Sequence, residues 1–259
     1  MSGEILLARD GAIATVTLSH PERLNALSLA MWERLGAVAR ELHADESLRC
    51  VVVRGAGEKA FAAGADIASF STERANSTQA KEYGRRIAAA MRSVAECRHP
   101  LVALIQGACV GGGLLVATQC DLRICNESAR FGVPVKNLGL VEAYDELQGM
   151  MSVVSRATAL EILLEGRIWG PREAYEKGLV NRVVADDKVV AEVYAIARRI
   201  ADGAPLAARW HKRFIRRLAD PAPLSAAEQD ESYACFDTED FREGVRAFLA
   251  KRKPDFKGR

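Results

Sequence analysis

Long apolar runs are missing from these 259 residues. None approaches the roughly 20 residues that cross a bilayer, so a helical membrane span is excluded as an expectation. The six cysteines (50, 97, 109, 120, 125 and 235) include no C-x-x-C pair, and most sit in apolar stretches. They read as reduced core thiols rather than a disulfide frame. The four histidines fall at no ligand spacing, so no metal is expected. An excess of one charge is also absent: 36 Lys and Arg stand against 34 Asp and Glu, a net charge of +2. That balance offers no argument for nucleic acid or a membrane surface as partner. The opening residues lack the charged n-region and apolar h-region of a secretory signal, which predicts a cytoplasmic protein. No internal repeat and no low-complexity tract appears.

What is present suits one large domain, or one domain with a smaller appendage: 49% of the residues are hydrophobic and 27% charged. The chain is organised around residues 101–121, L-V-A-L-I-Q-G-A-C-V-G-G-G-L-L-V-A-T-Q-C-D. The unbroken run at 101–105 predicts a strand buried on both faces. Gly107 loosens the backbone, and Gly111, Gly112 and Gly113 stand where a helix should begin. Each costs about 1 kcal/mol against alanine in a helix. In return, a ligand can approach the bare N–H groups of a helix N-terminus. Two readings stay open on these residues alone: a loop that holds developing negative charge, or close helix–sheet packing.

In chain order, residues 5–8 and 13–18 predict strands joined by an Asp10-Gly11 hairpin turn. From Ser28, a plausible N-cap, the helical spacing of Leu29, Trp32, Leu35, Val38, Ala39 and Leu42 predicts a helix. A buried strand follows at 50–53, so right-handed β-α-β units are expected. Residues 55–67, G-A-G-E-K-A-F-A-A-G-A-D-I, fit a dinucleotide fingerprint only loosely, because Gly64 interrupts any helix. The better reading is a long loop in which Ala63, Gly64 and Ala65 present backbone N–H groups. Residues 71–80 are polar and read as a loop. They lead into a helix that buries Tyr83, Ile87, Met91 and Val94. His99 reads as a loop residue. Residues 129–134 read as a turn, because Pro134 lacks an N–H and restricts Val133. A second loop spans 137–141, and a helix starts near Asp145. From about 186 the chain is wholly helical, over roughly 187–202, 205–218, 224–236 and 239–250. Basic residues cluster there (Arg209, Lys212, Arg213, Arg216, Arg217). They read either as solvated helix faces or as a patch for a phosphorylated ligand or a partner subunit.

Taken in order, several segments resemble the enoyl-CoA hydratase/isomerase (crotonase) family. They are Pro21-Glu22-Arg23-Leu24-Asn25-Ala26-Leu27, Lys59-Ala60-Phe61-Ala62-Ala63-Gly64-Ala65-Asp66, and Gly107-x-x-x-Gly111-Gly112-Gly113 with Cys120-Asp121-Leu122. Arg130-Phe131-Gly132-x-Pro134, Glu173-Ala174-x-x-x-Gly178-Leu179-Val180 and Lys253-Pro254-Asp255-Phe256-Lys257 complete the set. The resemblance implies an α/β fold: a crotonase-like ββα spiral core over 1–195, which binds acyl-CoA, and a helical C-terminal trimerisation region over 196–259. It implies a coenzyme A thioester as the ligand, with CoA as part of the substrate and no further cofactor. Self-association as a trimer or a dimer of trimers is also implied. By position, the thioester oxygen would meet the backbone N–H groups of Ala65 and Gly112. Arg23, Ala63, Ala65, Asp66, Ile67, Phe256 and Lys257 would form the CoA site. An enolate gathers charge on that oxygen, and fixed N–H donors stabilise it more than they stabilise the ground-state carbonyl.

The sequence departs from the family at one point that matters for chemistry. Hydratases of this kind carry one glutamate two residues after the third glycine and another after the proline of the F-G-x-P turn. Here those positions are Leu115 and Val135, and neither side chain can carry a proton. Relatives that isomerise double bonds or act on aromatic CoA esters often carry a single acid in this loop, aligned nearest Ala143, so Glu142 and Asp145 flank the place the resemblance implies. A carboxyl in an apolar acyl pocket would have a raised pKa, which suits proton transfer near neutral pH. Asp145 can instead be read as the cap of the next helix, with Glu146 in its first turn. Leu115, Val135, Val141 and Tyr144 suggest an apolar acyl pocket, and Tyr144 is a further possible donor. Two functions are therefore expected, in order. The first is an enzyme of enolate chemistry, isomerase-like or lyase-like, with a single acid. The second is a catalytically inactive acyl-CoA-binding scaffold or sensor subunit.

Overall fold

Asp10 and Gly11 turn the chain between β1 (Glu4–Asp10) and β2 (Ile13–Ser19), which pair antiparallel with Asp10 opposite Ile13. The turn needs the left-handed backbone of Gly11, φ 56°. In the computed structural model, which describes residues 3–66 and 70–259, helix α1 (Leu29–Ala44) follows. The Ser28 hydroxyl caps it by accepting the Met31 N–H at 3.3 Å. The chain continues through β3 (Cys50–Gly55), β4 (Ala60–Ala62), α2 (Phe70–Glu73), α3 (Ser77–Ala95), β5 (Leu101–Ile105) and β6 (Ala108–Val110). Next come α4 (Gly112–Thr118), β7 (Leu122–Asn126) and β8 (Arg130–Gly132), then a 3-10 turn over Pro134–Leu138. Then follow α5 (Tyr144–Met151), α6 (Arg156–Glu165), α7 (Pro171–Glu176) and β9 (Arg182–Val184). The chain closes with α8 (Val189–Ala201), α9 (Pro205–Arg217), α10 (Ala226–Glu231) and α11 (Glu239–Leu249).

The strands form two sheets, one ordered β1-β2-β3-β5-β7-β9 and the other β4-β6-β8. Apart from the β1–β2 hairpin, every pair is parallel. Repeated strand–strand–helix turns therefore feed one strand to each sheet in succession. The period-2 geometry of a strand explains why the central runs are apolar throughout. On β5, Leu101, Ala103 and Ile105 face the main core, while Val102 and Leu104 face a second core under α8. On β3, Val51 and Val53 face the first core, and Cys50 and Val52 the second. Helices α1 and α3 cross closely over the first face, where a Cβ on Gly36 would stand 3.0 Å from the Ala90 Cα. Among the described residues, no helix is long and apolar enough to cross a membrane.

Two expectations need correction. Residues 130–132 are not a turn but β8, which pairs with β6 through Cys109 and Phe131. The polar stretch before α3 is shorter than read: Asn76 caps that helix by accepting the Gln79 N–H at 3.0 Å. His99 lies in a loop, as expected, and is fully buried there, with Nε2 3.0 Å from the Leu42 carbonyl oxygen; burial pushes its pKa down to about 4. The basic residues of α9 line a groove (Arg209, Lys212, Arg213, Arg216 and Arg217), and three of them also bind carbonyls of the chain. Arg209 donates to the Glu46 oxygen at 2.9 Å, Lys212 to the His99 oxygen at 2.9 Å, and Arg216 to the Ala95 oxygen. Of these acceptors, Ala95 ends α3, where carbonyls lack helical partners, while Glu46 and His99 lie in the loops that follow α1 and α3.

Candidate functional site

Two glycine loops meet at the N-terminus of α4. Gly111 precedes that helix with φ 48°, and its N–H donates to the Gly132 oxygen at 2.9 Å. Gly113 packs on β4 so tightly that a Cβ there would run into the Ala62 carbonyl oxygen. Gly112, between them, has space on one side only. A Cβ on it would lie 3.3 Å from the indole of Trp32, 3.5 Å from the Gly64 carbonyl carbon and 3.6 Å from the Ala65 nitrogen. The three glycines thus serve three purposes: a left-handed cap, an approach surface and a close contact.

The facing loop, 63–66, is laced to residues 24–27. Ala63 N–H donates to the Leu24 oxygen at 3.0 Å, Leu27 N–H to the Gly64 oxygen at 2.8 Å, and Asp66 N–H to the Leu27 oxygen at 3.1 Å. Among the described residues, the Ala65 N–H and the Gly112 N–H have no backbone acceptor. Two donors a few ångströms apart, one of them opening a helix, can hold an oxygen on which negative charge develops. Gly64, φ 100°, supplies the bend that presents Ala65.

Asn25 holds this arrangement, a role not apparent when it is read only as part of a motif. Its backbone is left-handed (φ 59°), and its amide donates to the Ala60 oxygen at 2.8 Å and the Ala56 oxygen at 3.0 Å. Its Oδ1 accepts the His20 N–H at 3.0 Å. Arg23 is half exposed and pairs with Asp66 at 2.7 Å, so these two meet beside Ala65. Ile67 lies outside the described residues. Trp32 backs Gly112 and is buried, with its indole nitrogen unpartnered among the described residues. Helical spacing marks Trp32 only as a core residue.

Phe256 and Lys257 are not brought to these loops within the chain. Asp240 accepts the Lys257 N–H at 2.6 Å, and Arg49 donates to the Phe256 oxygen. Arg49 precedes the first residue of β3, whereas Asn25 reaches the residues beyond its last. A six-residue strand separates them, roughly 20 Å at about 3.3 Å per residue.

The positions that could carry an acid behave differently from one another. Leu115 is buried in α4, and Val135 packs against the main core from the 3-10 turn. Asp145 is exposed and lies 3.5 Å from Arg92 of α3. It does not cap α5: Ala143 holds that position, and the Glu146 carboxylate accepts the Ala143 N–H at 2.6 Å. Tyr144 and Val141 are 93% and 89% exposed, so neither lines an internal acyl pocket in this chain. Glu142 is half buried. Burial first, and then its hydrogen bond to Glu146, push its pKa up to about 8, against a smaller opposing effect of Arg74. Cys109, beside the glycines, is buried, and burial pushes its thiol well above the ordinary value, so it is an inert packing group.

Known proteins are similar to this chain over nearly all of its length. A family profile described as enoyl-CoA hydratase/isomerase matches residues 8–259. A short-chain-enoyl-CoA hydratase of Clostridium acetobutylicum is 32% identical over 258 residues, covering 98% of each chain. The crystal structure of an enoyl-CoA hydratase/carnithine racemase from Magnetospirillum magneticum is 54% identical. It superposes with a TM-score of 0.97 over 98% of this chain and 96% of its own. An enoyl-CoA hydratase from Bacillus anthracis superposes at 0.91 with 31% identity, over 99% of this chain and all of its own. With its two interleaved sheets and paired glycine loops, this chain belongs to the enoyl-CoA hydratase/isomerase family and has the crotonase fold.

Proposed function

We propose that this chain binds a coenzyme A thioester of an acyl or enoyl acid and stabilises its enolate. The Ala65 and Gly112 N–H groups are the two oxyanion donors. The observation that carries the reading is the approach of Gly112 to Ala65, with both N–H groups lacking backbone acceptors among the described residues. Removing an α-proton from a thioester moves charge to its oxygen. Donors fixed in advance stabilise that oxygen at no reorganisation cost, and each is worth about 10²–10³ in rate. Arg23, Ala63, Asp66 and Ile67 form the adjoining CoA segment, and no cofactor is required beyond the CoA that the substrate carries.

With aliphatic side chains at Leu115 and Val135, the proton-transfer group is a single relocated acid, Glu142. Its raised pKa keeps its acid and base forms close in energy near neutral pH. Asp145, engaged by Arg92, is the weaker candidate. One acid that takes a proton from one carbon and returns it to another is isomerase chemistry. We therefore favour double-bond isomerisation, with hydration by the relocated acid next. Exposed Phe248, Leu249 and Leu164 are 84%, 76% and 68% accessible, which supports self-association as a trimer or a dimer of trimers. In such an assembly Phe256 and Lys257 would serve the CoA site of a neighbouring copy.

The test is turnover of 2-enoyl-CoA and 3-enoyl-CoA by the wild type, Glu142→Gln and Asp145→Asn. The reading expects the largest loss for Glu142→Gln. Wild-type turnover by Glu142→Gln on every active substrate would remove Glu142 from the chemistry. Tight CoA-ester binding without turnover would favour the inactive scaffold instead.

A further inference from the structure

The proposed chemistry leaves the basic residues of α9 without a use. Together with Arg98 and the loops after α1 and α3, they line a groove of about 840 Å³. It lies at the opposite end of β3 from the glycine loops. There Arg209 donates to the Glu46 and Leu48 oxygens at 2.9 Å and 3.3 Å, just before that strand begins. Seven cationic side chains line the groove against three carboxylates, Glu46, Glu96 and Asp220, all of them exposed.

The cations are of two kinds. Four are already answered by a carboxylate: Lys212 by Asp121 at 2.8 Å, Arg213 by Glu231, Arg217 by Glu228, and Lys257 by Asp255 at 2.7 Å. Arg98 reaches Glu46 at 3.4 Å, but that carboxylate is 83% exposed, so solvent screens the pair. Arg209 and Arg216 have no carboxylate partner among the described residues. They meet backbone oxygens only, Arg216 that of Ala95. A carbonyl orients a guanidinium without cancelling its charge. Arg209 Nε is also buried with no hydrogen-bond partner among the described residues. Burial first, and then Arg98, hold the Arg209 pKa below its ordinary value, and a bound anion would relieve both effects.

Arg209 and Arg216 stand on one face of α9, two turns or about 10 Å apart along its axis. That reach suits two linked phosphoryl groups better than one. Each guanidinium fork can meet phosphate oxygens two at a time. We propose that this groove binds a small anion that carries a diphosphate group, with Arg209 and Arg216 as its carbonyl-anchored forks and Arg98 as a third cation. The assignment stands apart from the enolate reading, because a strand's length separates the groove from the glycine loops.

The experiment is calorimetric titration of the full chain with inorganic diphosphate at low ionic strength, beside inorganic phosphate. Diphosphate should bind once per chain, and more tightly than phosphate. Arg216→Gln and Arg98→Gln should each weaken it about tenfold or more, the worth of one charge-assisted hydrogen bond. Arg209→Lys, which keeps the charge and loses the fork, should weaken it too. Arg172→Gln, at an exposed residue of α7 paired with Glu176, should leave it unchanged. Circular dichroism confirms that each variant folds. Two further arms identify the source of the diphosphate. Binding that persists beside saturating butyryl-CoA supports the groove with a free phosphorylated metabolite as its ligand. Displacement by butyryl-CoA but not by S-butyryl-pantetheine, which carries no phosphate, supports it with CoA's own diphosphate as the ligand. Displacement by both esters, no binding of diphosphate, or an affinity that Arg216→Gln, Arg98→Gln and Arg209→Lys all leave unchanged overturns the proposal. So does a short single-stranded RNA that binds where diphosphate does not. Turnover is no part of this readout, so failure here leaves the enolate reading standing.

Discussion

Gly113 packs against the carbonyl oxygen of Ala62 with no room for a Cβ. This contact fixes the distance between the helix that presents Gly112 and the strand that leads to Ala65. Gly113→Ala should therefore push α4 from β4 and cost about 1–3 kcal/mol, the usual range for overpacking. Gly57→Ala is the control. That glycine also has a positive φ of 70°, but a Cβ there meets nothing within 4 Å. Only the left-handed penalty of about 1–2 kcal/mol applies to it. Thermal melts compare the stabilities, and a turnover assay should show loss in Gly113→Ala alone.

Gly112 is the first residue of α4, a position where proline is tolerated because its N–H has no helical partner. Gly112→Pro removes one proposed oxyanion donor. The expected result is a fall of about 10²–10³ in kcat with KM changed far less, the pattern of a donor used mainly in the transition state. Steady-state kinetics on any active CoA ester, with circular dichroism to confirm folding, checks it.

Much of this frame could be read from the residues. Ser28 caps α1, the apolar run Leu101–Ile105 is a strand covered on both faces, and the three glycines open a helix. What could not be read depended on partners distant in sequence. The strands Ala108–Val110 and Arg130–Gly132 have three residues each, too few for a period to show, and they exist because each pairs with the other. The roles of Glu142 and Asp145 were not separable by spacing. In the structure Glu142 is half buried, whereas Asp145 is exposed and engaged by Arg92 of α3. Phe256 and Lys257 match a motif in sequence, yet Asp240 fastens them beyond the far end of β3.

Lys212 is nearly buried, 2.8 Å from Asp121 Oδ2, which also accepts the Leu101 N–H at 2.7 Å. Lys212→Met strands a partly exposed carboxylate and the His99 carbonyl. About 1–3 kcal/mol of stability should be lost, less than for a wholly buried pair. The double variant with Asp121→Asn should recover part of it. Urea unfolding gives both values, and equal losses in the single and double variants would argue against the pairing.

The raised pKa of Glu142 has a consequence for stability. Its folded value, about 8, exceeds the ordinary glutamate value of 4.5, so between those limits the folded chain binds more protons than the unfolded one. Its contribution is fully present below about pH 4.5 and is lost as pH rises through about 8. Glu142→Gln lacks this loss. The stability difference, variant minus wild type, should rise between pH 5 and 9, and chemical denaturation across that range measures it.

The central claim is that this chain makes an enolate of a CoA thioester with Glu142 as the proton-transfer group. It is tested most directly by proton exchange, which needs no knowledge of the full reaction. A saturated acyl-CoA such as butyryl-CoA is incubated with the protein in D2O, and the α-proton signal is followed by ¹H NMR. The account predicts loss of that signal with the wild type, and loss slowed at least tenfold with Glu142→Gln, a drop of about 1.4 kcal/mol or more in transition-state stabilisation. An α-proton signal that persists with the wild type, while the same ester binds, would contradict it.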